Sequence, residues 1–181
     1  MAFKIINCHK EHFPPLRLIG RRYTDADRPF DARWREWHDN GWMDRLEALG
    51  SSTEVESGAI GLMTMRTDHP DLPPEENGFS YWIGRFFPAG AKAPEGFACL
   101  DLPKSDVGVA WIYGSDDTGE IYGEKPHTAA YKAICKNGWK QLNENAAGEK
   151  LIAFFERYHP GRIDVPDKKG NVILDYGFYL Q

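Results

Sequence analysis

Cysteine is scarce in this chain: Cys8, Cys99 and Cys135 are the only three among 181 residues, and no two form a CxxC pair. An odd number at wide spacing argues against a disulfide framework or a zinc site, and the thiols read as core filler in a reducing compartment. No apolar run is long enough to cross a bilayer, and the N-terminal MAFKIINCHK lacks the apolar centre of a signal peptide. A soluble cytoplasmic protein is therefore expected, with no membrane partner. Basic clusters are missing too. The net charge is −5, and no stripe of Lys or Arg is present to track a phosphate backbone, so direct nucleic-acid binding is not expected. The six histidines, His9, His12, His38, His69, His127 and His159, include no HExxH and no helix-face pair. His9, Glu11 and His12 flank a turn without further ligands, so no metal is expected. GxSxG, P-loop and dinucleotide fingerprints are absent, which leaves no motif for a nucleotide or other cofactor.

Aromatic residues, by contrast, are abundant: Phe, Trp and Tyr make up 13 % of the chain, with six tryptophans. Periodicity orders the sequence into two similar halves. In the first, strands are predicted over 3–8 and 16–24, an amphipathic helix over 31–50 with Gly41 as its weak point, and strands over 58–66 and 79–87. The Pro-rich segment DHPDLPPEENG, 68–78, reads as the loop between the last two. In the second half, strands are predicted over 97–102 and 107–114. A helix capped near Thr128 follows, with the stripe Tyr131, Ile134, Cys135, Trp139 and Leu142, and the final strands cover 150–158 and 171–180. Corresponding elements lie about 93 to 97 residues apart, and NGW occurs at both 40–42 and 137–139. The pattern is a duplicated strand-strand-helix-strand-strand unit. The fold class is α+β: one domain over 1–181, with half-repeats of about 1–92 and 93–181. Its sheet is mostly antiparallel and carries two main helices. The seam between the halves is the natural place for a cleft.

The segment LIAFFERYHP bears on that seam. In a strand, Phe154, Glu156 and Tyr158 share one face and Phe155 and Arg157 the other. Alternation leaves two readings of Glu156 open: a solvated carboxylate on a wet face, or a carboxylate held among aromatic walls. In the second case burial would cost several kcal/mol unless the group recruits a cation or keeps its proton. A flat, apolar, cationic molecule would answer both the charge and the rings. Met63 and Met65, near the position related to Glu156 by the repeat, and the strand aromatics Trp82, Trp111, Tyr113 and Tyr158 are the candidate walls. Trp34, Trp37 and Trp139 fall on helical stripes and read as core.

The ordered set LIGRRYT (18–24), PEGF (94–97), VGVAWIYG (107–114), NGW (137–139) and FERY (155–158) resembles the GyrI-like effector-binding domain. That domain is shared by AraC-type and MerR-type regulators and by free-standing proteins. The resemblance covers nearly the whole chain. It implies two pseudo-symmetric halves and a cleft that takes a hydrophobic, aromatic, cationic small molecule, with Glu156 as the buried acid. It also implies two alternatives found among stand-alone relatives. One is hydrolysis of cyclopropane-bearing alkylators, with Glu156 and Tyr158 as the catalytic pair; the other is inhibition of DNA gyrase by protein contact. The chain opens directly on the first strand of that domain, so no DNA-binding helix-turn-helix is expected ahead of it.

Overall fold

The computed structural model describes residues 3–50, 53–56, 58–67, 78–142 and 150–181. Residues 68–77 of the expected Pro-rich loop lie outside them. Among the described residues eight strands form: β1 (Lys4–Phe13), β2 (Leu16–Tyr23), β3 (Ala59–Thr67), β4 (Gly78–Pro88), β5 (Ala98–Leu102), β6 (Ser105–Ser115), β7 (Lys150–Tyr158) and β8 (Asn171–Tyr179). They join one sheet in the order β1-β6-β8-β7-β3-β4-β2-β5, and every pairing is antiparallel.

Exchanging β1–β4 with β5–β8 turns this order into its own reverse, which is the signature of a twofold relation between the halves. The axis passes between β3 and β7, and each half gives its first strand to the other, β1 beside β6 and β5 beside β2.

The sheet curls. Phe13 on the edge strand β1 lies 5.8 Å, ring to ring, from Phe86 on β4, although five strand spacings, about 24 Å in a flat sheet, separate them. The enclosed face holds a core of Phe13, Leu18, Leu62, Trp82, Phe86, Phe155 and Tyr179, among others. The outer face carries the helices, one set per half. α1 (Phe30–Asp39) and α2 (Trp42–Glu47) bury Trp37 and Leu46 against Ile19, Tyr81 and Ile83. α3 (Glu124–Lys136) buries Ala130 and Ile134 against Ile112, Leu174 and Phe178. A one-turn α4 (Pro160–Ile163) follows β7.

Two helix expectations are corrected. The helix over 31–50 is two helices, because Gly41 adopts φ +60°, a left-handed conformation that cannot continue α1. The second helix starts at Glu124 rather than near Thr128. Pro126 lies in its first turn, where the missing N–H has no helical partner to lose. It stops before Gly138, at φ +77°, so Trp139 and Leu142 lie beyond the helix.

Candidate functional site

Along the outer face of β7, Phe154, Glu156 and Tyr158 alternate with inward-facing Phe155 and Arg157. Opposite Glu156 on β3 stands Gly61, and opposite Phe154 stands Met63. On β8 the cross-strand neighbour of Glu156 is Tyr176. Glu156 is only 9 % exposed. It forms one wall of a cavity of about 580 Å³ at the seam. Tyr158 and Met63 line it from the sheet, as does Tyr81, which pairs with Met63 across β4. α1 supplies Phe30, Asp31 and Trp34, and the segment before α3 supplies Tyr122 and Gly123.

The walls are fixed to one another. Tyr158 donates a hydrogen bond to Glu156 Oε2 at 3.0 Å, and Trp34 Nε1 donates to the Tyr81 hydroxyl at 2.7 Å. Phe30 stacks on Tyr81 with centroids 4.5 Å apart, and Trp34 meets Tyr158 at 4.7 Å. Tyr122 is held by Asp116.

Burial pushes the Glu156 carboxyl above the ordinary carboxylate range; hydrogen bonding with Tyr176 and Tyr158 offsets this only in part. Burial, reinforced by a charge on Glu156, pushes the phenols of Tyr81, Tyr158 and Tyr176 up as well. Those groups are neutral hydroxyls at physiological pH. Among the described residues Glu156 takes part in no salt bridge.

The next residue shows the alternative. Arg157 is fully buried on the other face, yet it donates to Asp175 at 2.8 Å and to both carboxylate oxygens of Glu11 at 2.9 and 2.6 Å. One strand thus carries a saturated buried charge and, beside it, a buried acid with no counterion among the described residues.

The structure brings three of the sequence candidates together: Glu156, Tyr158 and Met63. Met65 lies one rung further along the same face, 37 % exposed and outside the cavity. Trp82, Trp111 and Tyr113 are not at the cavity, because strand parity turns them to the opposite face. Trp82 is buried in the enclosed core. Trp111 lies under the Arg162 guanidinium, 4.9 Å from its ring centre, and Tyr113 bonds to Asp167 and Asn171. The residues that sequence reading missed are Tyr81, Tyr122, Phe30, Trp34 and Gly61. The signal for Tyr81 was its parity with Met63 across the hairpin.

Gly61 leaves the space in front of Glu156. A Cβ there would come within 2.6 Å of the Tyr81 hydroxyl and 3.3 Å of the Trp34 ring. Gly61→Ala is expected to break the Trp34–Tyr81 bond and to cost about 1–3 kcal/mol of stability in urea denaturation. An unchanged midpoint would show that Tyr81 moves aside freely.

Among the described residues no cluster of three or more His, Cys, Asp or Glu is placed to hold a metal ion, and no helix is long and apolar enough to cross a membrane.

No protein-family model matches the chain, and no curated protein is similar to it in sequence. Solved structures are similar in fold. SAV2435 bound to tetraphenylphosphonium superposes with a TM-score of 0.66 at 15 % identity, over 97 % of this chain and 94 % of that one. A protein from Staphylococcus aureus MU50, named for bacterial transcription regulation, gives 0.61 at 16 % identity over 97 % and 98 %. EcmrR, in its complex with DNA, gives 0.51 at 12 % identity; all of this chain matches 58 % of that one. These likenesses show the fold alone.

Proposed function

We propose that the cavity binds a hydrophobic aromatic cation, with Glu156 as counterion and the rings of Tyr81, Tyr122, Tyr158 and Trp34 as stacking surface. The observation that carries this reading is a buried carboxyl that has no cationic partner among the described residues and is walled by aromatic rings. A delocalised organic cation loses little hydration on entering such a site. It satisfies the charge that the protein itself leaves unpaired. The cavity volume lies within the range of small-molecule sites, roughly 300–1,000 Å³. The same fold in SAV2435 bound to tetraphenylphosphonium supports the reading. The chain would act as a ligand-capturing or sensing protein of the cytoplasm, where Cys8, Cys99 and Cys135 stay as free thiols.

Two ions of one shape and opposite charge test it. Tetraphenylphosphonium is expected to quench the fluorescence of Trp34 and to bind in the micromolar range. Tetraphenylborate is expected to bind at least a hundredfold more weakly, since its charge meets Glu156. Equal affinity for both ions would remove the carboxylate from recognition.

A further inference from the structure

Tyr176 is fully buried on β8 and stands opposite Glu156 across the strand pair, on the cavity side of the sheet. Its hydroxyl meets the Glu156 carboxyl, yet it donates its proton elsewhere, to the backbone carbonyl of Ile121 at 3.1 Å. A phenol carries one proton. Its oxygen can accept from a protonated acid while it donates to Ile121. It cannot donate to Ile121 and to a carboxylate at once. The observed bond is thus the one that belongs to a neutral Glu156: acid to Tyr176, Tyr176 to Ile121, one continuous chain.

Ile121 belongs to the strap 116–123 between β6 and α3, whose Tyr122 and Gly123 line the cavity. Other hydrogen bonds of the strap join neighbours along the chain. Gly119 N–H donates to Asp116 O at 2.8 Å, Tyr122 N–H to Gly119 O at 3.2 Å, and Ser115 N–H to Glu120 Oε1 at 2.9 Å. The bond from Tyr176 comes instead from the far end of the sequence and fastens the strap to β8. Ile121 is fully buried, and among the described residues no second donor reaches its carbonyl. Gly119 and Gly123, at φ +67° and +84°, bracket Ile121 and Tyr122 with left-handed backbone.

Resting on the cavity reading above, we infer that Tyr176 is a one-proton switch: a cation at Glu156 draws its hydroxyl from Ile121 to the carboxylate and frees the strap that carries Tyr122. The carboxylate wins the proton because a charge-assisted hydrogen bond is roughly twice as strong as one between neutral groups. The Ile121 carbonyl is then buried without a donor, and a strap with a glycine on either side of it can turn to relieve that cost. Capture is thereby reported at the surface, where 116–119 are exposed. The other titratable groups facing the pair are Tyr158 of β7, Tyr81 of β4, Asp31 of α1, Tyr122 of the strap and His127 of α3, whose ring centre lies 6.4 Å from that of Tyr176. β3 and β6 present Gly61, Met63 and Ala110 there. None of these donates to Ile121 in place of Tyr176.

The test is amide hydrogen exchange of Gly119 and Tyr122, followed by NMR with and without saturating tetraphenylphosphonium. A bound ligand ordinarily slows exchange around its site, and β7 should follow that rule. The two strap amides should instead exchange about tenfold faster, the equivalent of one lost hydrogen bond. In Tyr176→Phe, which keeps the buried ring and removes only the hydroxyl, they should be fast without ligand and gain nothing further from it. Binding with unchanged or slowed strap exchange in the parent protein overturns the switch and leaves the cavity reading standing. So does a ligand-driven acceleration that persists in Tyr176→Phe, since Tyr122 alone would then carry it. Failure of the cation to bind the parent overturns the cavity reading, and the switch with it.

Discussion

Glu156→Gln is expected to lower the affinity for tetraphenylphosphonium by a hundredfold or more while making the ligand-free protein more stable at neutral pH. The first effect follows from removing one partner of a desolvated charge pair, which costs roughly 2–5 kcal/mol. The second follows from burial. In the free protein an ionised Glu156 has the hydroxyls of Tyr158 and Tyr176 as hydrogen-bond partners and, among the described residues, no cation, so its charge is a standing cost that glutamine does not carry. A gain of about 1 kcal/mol is expected in urea denaturation. Loss of binding together with loss of stability would instead make Glu156 a structural residue.

The sign of the pH dependence separates these effects. The carboxyl is pushed up by burial in the folded chain, so the folded state holds its proton more tightly than the unfolded state does. Its contribution to stability is fully present below the unfolded carboxylate pKa, about 4.3, and is lost as pH rises through the raised folded value. The advantage of Glu156→Gln over the parent should therefore grow with pH through that range and then level off. Cation binding runs the other way: it requires the ionised acid, so affinity should rise with pH over the same range. Binding below it should release a proton, detectable as a dependence of the calorimetric heat on buffer ionisation enthalpy. A pH-independent affinity would mean that Glu156 is already ionised in the free cavity.

Alternation and helical periodicity located all eight strands and both helical regions, and the repeat offset exposed the twofold relation between the halves. The exchange of first strands, β1 to β6 and β5 to β2, has no local signature, since an edge strand reads the same whichever neighbour it meets. The walls of the cavity were legible on β7 but less so elsewhere. In FERY one face is polar-marked by Glu156, and parity then fixes Tyr158. In GFSYWIGRFFP the one charged residue, Arg85, is itself buried, and with nearly every position of β4 covered it does not tell one face from the other. Size favoured Trp82 there, whereas pairing with Met63 selects its neighbour Tyr81. On α1 the tryptophan stripe divides, Trp37 entering the core and Trp34 the cavity. That division depends on where the helix axis lies over the seam, which periodicity does not specify.

Behind the cavity face, Arg157→Ala is expected to destabilise the protein by about 3–5 kcal/mol. Arg157 and Asp175 are both fully buried and 2.8 Å apart. Glu11 shares the guanidinium of Arg157, while Arg162 ties Asp175 to Glu56 at the surface. Truncation leaves Glu11 facing a void without its cation, while Asp175 keeps Arg162. The network also sets the acid side of the stability profile. Burial raises the Glu11 carboxyl, but hydrogen bonding and the charge of Arg157 outweigh it and hold the group below its ordinary value. A depressed folded pKa gives stability that is present above the unfolded value and lost as pH falls through the folded one, the reverse of Glu156. Arg157→Ala should thus flatten the acid limb of the curve as well as lower its maximum. Because this network lies on the opposite face from the cavity, the folded variant should keep its tetraphenylphosphonium affinity to within about threefold. A drop as large as that of Glu156→Gln in a variant still folded by circular dichroism would show that the ion network positions the acid rather than only supporting the sheet.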